Sequence, residues 1–319
     1  MMIKIFLRLL LISLLQSCSS DDNNQLQAQE FPSSVNATLV HQNNQREYTL
    51  HIPPTYNGLS EVPLVIVLHG GGGNSKSVQG FTQMNPVSDT NGFIVAYPQG
   101  FGPALNGFSW ADGRETSATN MGIDDVGFIS KLIDKVQSEY RIISNKIYVC
   151  GFSNGGFMSQ KLVCKLENKF AGVGTLGASI GSDVLSQCSV SQSIPMLFML
   201  GDADPFVPYN GGTVANNPSP IEGIEELVNF WKNNNLCQTE LPKIQLPDLD
   251  TTDNSTVTLF GFSDCDCNAN VRLYRINNGG HTWPGVENVN YEIIAGETNE
   301  DINASSVLWE FFNRYERCK

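Results

Sequence analysis

The chain has 319 residues, of which 41% are hydrophobic and 16% are charged, and its formal net charge is −13. This length and a mixture of strand and helix patterns favour one large α/β domain over two small domains. The acidic charge argues against nucleic acids and anionic lipid surfaces as partners.

The N-terminal residues predict export and a lipid anchor. Lys4 and Arg8 precede or interrupt the apolar run Ile5–Leu15, which is too short to span a bilayer as a stable anchor. Leu15–Cys18 resembles a lipobox, in which a signal peptidase cleaves before the cysteine and Cys18 then carries the lipid. An ordinary secretory signal with a chance cysteine is the alternative. Contact with a membrane is therefore expected only through the lipid on Cys18.

This interpretation divides the chain into three segments. Residues 1–17 are predicted to be a signal peptide. Residues 18–30 are polar and rich in Asn, Gln and Asp, which predicts a flexible tether between the lipid and the folded domain. Residues 31–319 are predicted to form a single domain, because no internal repeat and no second domain boundary is visible in the sequence.

Strand and helix patterns alternate along this domain. A hairpin is predicted for Ala37–Gln42 and Arg46–Ile52. Continuous apolar runs predict strands buried on both faces, at Pro63–Leu68, Phe93–Tyr97, Lys146–Cys150, Ala171–Leu176, Pro195–Leu200 and Val271–Ile276. Helices are predicted at Asp124–Val136, Phe157–Val163, Glu222–Trp231 and Ser305–Tyr315. The alternation predicts a mostly parallel sheet with helices on both faces, and the connection 178–194 is too short for a large lid.

A G-x-S-x-G motif stands at the turn between a predicted strand and a predicted helix. Gly151–Gly156 begins directly after the strand that ends at Cys150. At such a turn, the nucleophile elbow of the α/β-hydrolase fold, a strained bend presents the serine hydroxyl, and side chains at the glycines would collide. We therefore predict that Ser153 is a catalytic nucleophile, with a glycine-rich loop and an incidental serine as the alternative.

A serine nucleophile needs a histidine base and an acid that orients this base, in the chain order Ser, Asp or Glu, His. Of the four histidines, only His281 follows a late predicted strand. Asp204 lies in the loop after Pro195–Leu200, where Pro205 stiffens the chain. We predict His281 as the base and Asp204 as the acid, with Asp202 as a rival acid. This mechanism requires neither a metal nor an organic cofactor.

Two backbone N–H groups are predicted to bind the oxyanion that forms during such a reaction. One belongs to Asn154, at the N-terminus of the helix that follows the nucleophile, and the other to Gly71, in the glycine run after His69. The glycines let the main chain approach a substrate carbonyl closely. The run lacks the terminal Lys-Ser/Thr pair of a phosphate-binding Walker loop.

The chain has eight cysteines, and export favours disulfides. If Cys18 carries lipid, seven remain and at least one of them is unpaired. Cys150, in the apolar strand before the elbow, is the candidate for a buried thiol. No second Cys or His pair stands at zinc-ligand spacing from Cys265 and Cys267, so this pair predicts disulfides rather than a metal site.

Six sequence blocks together resemble one known family. In chain order they are Leu68–Gly70, Tyr97–Gly100, Asp124–Ile129, Gly151–Gly156, Asp204–Tyr209 and Gly280–Gly285. From about Arg46 to Arg314 the chain is similar to the exported poly(3-hydroxybutyrate) depolymerase, feruloyl esterase and acetylxylan esterase group of the α/β-hydrolase superfamily, which includes the family-one carbohydrate esterases. One block departs from the group, because Leu200–Asp202 stands where many relatives have His-Gly-Thr.

The resemblance implies roles for particular residues. Ser153, Asp204 and His281 would form the catalytic triad. Trp283 and Trp110 would line the acyl or sugar side of the cleft. Two disulfides are also implied, Cys164 with Cys188 and Cys237 with either Cys265 or Cys267.

The activity that the resemblance implies is that of an exported serine esterase on feruloyl or acetyl esters of polysaccharides. A polyhydroxyalkanoate depolymerase or oligomer hydrolase is the alternative, and a non-catalytic lipoprotein that captures glycans is a more distant one. The expected partner is an ester-bearing polysaccharide or polyester substrate.

Overall fold

The computed structural model describes residues 28–102, 107–114, 122–214, 217–287 and 289–318. The predicted signal peptide, Cys18 and most of the predicted tether lie outside these residues. Across the described ranges, no helix has the length and apolarity that crossing a membrane requires.

The described strands and helices follow the chain in a broadly alternating order. The strands are β1 (Ser34–His41), β2 (Asn44–His51), β3 (Val62–Leu68), β4 (Ile94–Pro98), β5 (Ile142–Phe152), β6 (Gly172–Leu176), β7 (Met196–Gly201), β8 (Gly212–Val214), β9 (Asn217–Ile221), β10 (Thr239–Glu240), β11 (Ile244–Gln245), β12 (Thr256–Ser263) and β13 (Val271–Asn277). The helices are α1 (Ser77–Thr82), α2 (Met84–Asn91), α3 (Asp125–Glu139), α4 (Asn154–Lys165), α5 (Ser182–Ser186), α6 (Ile224–Asn234), α7 (Val289–Ala295) and α8 (Ala304–Phe312).

One large sheet organises the molecule. Its strand order is β1-β2-β4-β3-β5-β6-β7-β13-β12-β10, and β11 also pairs with β12. The six central strands from β4 to β13 are parallel, whereas the hairpin β1–β2 and the strands beyond β13 add antiparallel edges. The predicted mostly parallel sheet, its apolar central strands and the N-terminal hairpin are confirmed.

Helices cover both faces of the sheet, as the apolar strands require. Side chains of α3, α4 and α6 share one buried core with one face of the sheet, and those of α1, α2 and α8 share a second core with the other face. Asp124 caps α3, since its carboxylate accepts a hydrogen bond from the Gly127 N–H at 2.8 Å. Between β6 and β7 only the five-residue α5 intervenes, so no large lid covers the site from that connection.

Three disulfides join six cysteines of the described residues, and Cys150 is free and buried. The pairs are Cys164–Cys188, Cys237–Cys265 and Cys267–Cys318. The first pair and the buried thiol match the sequence predictions, and Cys265 is the partner of Cys237. Disulfides of this number indicate an oxidising compartment.

Candidate active site

Ser153 lies between the last residue of β5 and the first residue of α4. Its backbone angles are φ 53° and ψ −122°, a strained conformation that residues other than glycine rarely adopt. The Ser153 N–H donates to the Leu176 carbonyl at 2.9 Å, which fixes the turn against β6. The motif therefore forms the predicted strand-turn-helix elbow.

Two glycines of the motif are required by close backbone approaches. A side chain at Gly151 would overlap the Gly155 carbonyl, and one at Gly155 would overlap the carbonyls of Leu68 and His69. Only glycine leaves room for α4 to start this close to β3 and β5. The spacing of the motif is thus a consequence of backbone packing around Ser153.

Asp204 and His281 come together at the carboxyl edge of the parallel strands. Asp204 lies three residues after β7, and His281 lies four residues after β13. The Oδ2 atom of Asp204 is 2.6 Å from Nδ1 of His281, and both side chains are buried. The other carboxylate oxygen accepts the N–H groups of Phe206 and Val207, each at 2.8 Å. The aspartate is therefore held rigidly and fixes the orientation of the imidazole.

The His281 loop folds back over the sheet towards the elbow. The strands β5 and β13 are three steps apart, which corresponds to about 14 Å at the usual strand spacing. Even so, the centroids of the His281 imidazole and the Phe152 ring are 4.6 Å apart, and Phe152 directly precedes Ser153. The Ser153 hydroxyl forms no hydrogen bond with another described residue, so it is available to a substrate or to the imidazole.

Asp202, the rival acid, is engaged elsewhere. Its carboxylate accepts from Nε and Nη2 of Arg275 at 3.0 and 2.7 Å, and from the N–H of Asn278 at 2.6 Å. Arg275 belongs to β13, and Asn278 opens the loop that carries His281. Asp202 therefore braces the histidine loop and does not contact the imidazole through its carboxylate.

Two backbone donors lie beside the elbow. Asn154 is the first residue of α4, so its N–H has no acceptor within the helix. Gly71 lies close to Asn154: a Cβ atom added at Gly71 would be 3.7 Å from Cβ of Asn154. Among the described residues, neither N–H donates a hydrogen bond. The pair can therefore bind a developing oxyanion.

His69 fixes the orientation of the Gly70–Gly71 peptide. Its Nε2 accepts from the Gly100 N–H at 2.9 Å, so the proton lies on Nδ1, which donates to the Gly70 carbonyl at 2.7 Å. Gly73 N–H donates to the same carbonyl at 3.0 Å. In a trans peptide the N–H points opposite to the carbonyl, so these two bonds direct the Gly71 N–H away from His69. This role of His69 was not predicted from the sequence.

The buried His69 predicts a loss of stability in acid. Burial lowers the pKa of His69 to about 4, from 6.5 for a free imidazole. Because the unfolded chain binds the proton first, the free energy of unfolding should fall as the pH drops from about 6.5 to 4, by about 3 kcal/mol in total. Urea unfolding at pH 7 and pH 4.5 measures this fall in the free energy of unfolding. A His69→Asn variant with an equally large pH dependence would contradict the assignment.

The side chain of Asn154 ties the elbow to the loop that contains Trp110. Its Oδ1 accepts from the Trp110 N–H at 2.7 Å, and its Nδ2 donates to the Trp110 carbonyl and to Asp112 at 3.1 and 2.7 Å. Asp112 in turn pairs with Arg114 at 2.5 Å. The single residue Asn154 thus supplies a backbone donor and anchors a neighbouring loop.

The prediction that Trp110 and Trp283 line the cleft is wrong. Trp110 is only 1% exposed, because its indole N–H donates to the His69 carbonyl and its ring packs against that imidazole. Trp283 is fully buried and donates to the hydroxyl of Ser305. Both indoles support loops of the site from within the core.

A cavity of about 450 Å³, here called the acyl cavity, opens beside the oxyanion loop Gly70–Gly73. Its aromatic wall consists of Phe81, Phe152 and Tyr291. The centroid of the Phe81 ring is 4.7 Å from that of Phe152 and 6.0 Å from that of Tyr291. Burial and, to a smaller extent, the charge of Asp204 raise the pKa of Tyr291 to about 12, so its phenol stays neutral. The cavity can bury an apolar, planar group.

An elbow serine, a mostly parallel sheet and an Asp-His pair at the carboxyl ends of later strands define an α/β-hydrolase. The solved acetyl xylan esterase from Aspergillus awamori shares this fold, with a TM-score of 0.54 and 15% identity over 79% of this chain and 94% of that one. The model of the esterase PHB depolymerase family matches residues 46–196.

Curated relatives agree with this match. The "Probable feruloyl esterase C" of Aspergillus niger is 31% identical over 206 residues, which are 61% of this chain and 72% of that protein. The bifunctional acetylxylan esterase/xylanase XynS20E of Neocallimastix patriciarum is 23% identical over 73% of this chain and 31% of that protein. The chain belongs to the esterase PHB depolymerase family and is a carboxylic ester hydrolase.

Proposed function

We propose that the protein is an exported serine esterase that releases feruloyl groups from polysaccharides through Ser153, His281 and Asp204. The observation that carries the catalytic part is the buried contact of 2.6 Å between Asp204 and His281 beside Phe152 and the elbow. The acid holds the proton on Nδ1, which leaves Nε2 free to accept the serine proton.

The first half of the reaction forms an acyl-enzyme. Ser153 attacks the ester carbonyl while His281 takes its proton. The N–H groups of Gly71 and Asn154 stabilise the oxyanion of the tetrahedral intermediate. His281 then passes the proton to the sugar oxygen, which leaves as the alcohol.

The second half releases the acid. His281 takes a proton from a water molecule, which attacks the acyl-enzyme, and the same two N–H groups stabilise the second oxyanion. Collapse of this intermediate returns the proton to Ser153 and frees the carboxylic acid. The side chains of the triad account for every proton transfer in both halves.

The acyl cavity favours a feruloyl group over an acetyl group. A buried aromatic ring contributes roughly 150–250 Å² of contact, and ring pairs add about 0.5–1.5 kcal/mol each. Phe81, Phe152 and Tyr291 offer such contacts to a planar acyl group. An acetyl group brings a single methyl and would leave most of the 450 Å³ unfilled.

Acetyl-polysaccharide hydrolysis is the second candidate, because one matched relative carries acetylxylan esterase in its name. Hydrolysis of a polyhydroxyalkanoate follows as a third, since the matched family model is named for PHB depolymerase.

We also propose that the protein lies outside the cytoplasm. We place the lipid on Cys18, with residues 18–30 as the tether and 31–319 as one catalytic domain. The three disulfides support an oxidising compartment.

The substrate assignment predicts an order of activity on matched esters. The purified mature protein should release ferulate from a feruloylated oligosaccharide with a kcat/KM at least about tenfold above that for acetate from the acetylated one, because the ring adds at least about 1.4 kcal/mol of binding. Chromatography of released ferulate, acetate and 3-hydroxybutyrate measures this order. Preferred release of acetate would favour the second candidate, and no release from any ester would favour a glycan-binding lipoprotein.

A further inference from the structure

A second cavity lies between the N-terminal hairpin and the segment after the oxyanion loop. This polar groove has a volume of about 570 Å³ and shares no lining residue with the acyl cavity. Its side chains with polar or aromatic groups include Asn36, Thr38, Glu47, Lys76, Gln99 and Phe108.

Backbone hydrogen bonds connect the polar groove to the catalytic edge of the sheet. Phe108 accepts from the Gly72 N–H at 2.9 Å and donates to the Gly73 carbonyl at 3.3 Å. The Gln99 N–H, just past β4, donates to the Glu47 carbonyl of β2 at 3.0 Å. In the order β2-β4-β3-β5, the hairpin is three strands from the elbow, or about 14 Å. A ligand that spans both sites is therefore a chain rather than a single small ring.

The polar groove offers both donors and acceptors that the protein itself does not use. Within the described residues, the Thr38 hydroxyl, the Lys76 ammonium and Nδ2 of Asn36 have no hydrogen-bond partner. Glu47 accepts through one carboxylate oxygen, from Gln99 at 3.1 Å, and keeps the other oxygen open. Sugar hydroxyls donate and accept, whereas a polyester chain only accepts along its length. The unused donors and acceptors of the polar groove therefore match the hydroxyl groups of a sugar chain.

We propose that the polar groove binds the sugar chain to which the ester is attached. This inference rests on the proposed function, in which the acyl group occupies the acyl cavity. The sugar chain then follows the oxyanion loop into the polar groove, where the half-buried Phe108 ring meets the apolar face of a sugar ring. The acyl cavity thus binds the acyl part of the ester, and the polar groove binds the sugar chain of the alcohol part.

The double variant Thr38→Val/Lys76→Met tests the polar groove, because it removes two polar groups that make no hydrogen bond with another described residue. The measured quantity is kcat/KM for a feruloylated trisaccharide divided by kcat/KM for methyl ferulate. We expect this ratio to fall about tenfold, mainly through the KM of the trisaccharide ester. Thr251→Val/Lys165→Met is the matched control, since both residues are exposed, their side chains form no hydrogen bond with another described residue, and neither lines the polar groove.

An unchanged ratio in the groove variant, or an equal fall in the control, would overturn the inference. If neither substrate is hydrolysed, the proposed function fails, and calorimetry with the unesterified trisaccharide then tests the polar groove by itself. Weaker binding by the groove variant than by the control supports the groove. Equal binding by both variants, or no binding by the wild type, overturns it.

Discussion

Replacing Ser153 by Ala should lower kcat for ester hydrolysis by about 10⁵–10⁶-fold, which is the scale of removing the nucleophile of a serine hydrolase. The reason is local. Ser153 directly precedes Asn154 at the start of α4, and among the described residues it is the only serine with a positive φ. Alanine keeps the backbone and the cavity but cannot form the acyl-enzyme.

Steady-state hydrolysis of p-nitrophenyl acetate and methyl ferulate measures this loss. Ser138→Ala is the control, because Ser138 is an exposed serine on α3. Circular dichroism should show the same fold for both variants. Activity of Ser153→Ala within tenfold of the wild type would remove Ser153 from the mechanism.

Asp204→Asn should lower kcat by about 10⁴-fold, as amide substitution of the triad acid does elsewhere. The amide can still accept from the Phe206 and Val207 N–H groups, so its NH₂ group would turn towards Nδ1 of His281. The imidazole proton would then move to Nε2, where it blocks proton transfer from Ser153.

Asp202→Asn is the matched control for that variant, because both residues lie in one loop and change in the same way. Asp202 bonds Arg275 and Asn278, so its amide should reduce kcat by less than about tenfold. The reverse ranking, with the larger loss in Asp202→Asn, would make Asp202 the acid of the triad.

Local signals in the sequence predicted the central part of the fold. Runs such as Pro63–Leu68 are apolar on both faces, which is typical of strands between two helical layers. The G-x-S-x-G motif predicted the elbow because only glycine tolerates the backbone contacts at Gly151 and Gly155. The pairing of Asp204 with His281 was predicted from the chain order Ser, Asp or Glu, His, and from the place of each residue in a loop after a late strand.

The antiparallel edge beyond β13 was not predicted. Strands β10 and β11 have two residues each, which is too short for a period-2 pattern to show. Strand β12 alternates polar and apolar residues over its first half, Thr256–Leu259, and this pattern was available in the sequence. The small hairpin of β8 and β9 contains two prolines, which ordinarily argue against a strand.

Side-chain burial explains the remaining differences between the site predicted from the sequence and the site in the structure. An aromatic residue beside a catalytic residue can face the cleft or the core, and Trp283 faces the core. The role of His69 depends on Gly100, which is 31 residues away and unrelated by any sequence pattern. One signal did exist, since His69 directly precedes the glycine run that was assigned to the oxyanion.

The most direct test of the triad is covalent labelling of the mature protein with a fluorophosphonate, followed by mass spectrometry of its peptides. We expect one label per molecule, on Ser153, with no label on Ser153→Ala and much slower labelling of Asp204→Asn. Labelling of a different residue, or a wild-type protein that resists the reagent while folded, would contradict it.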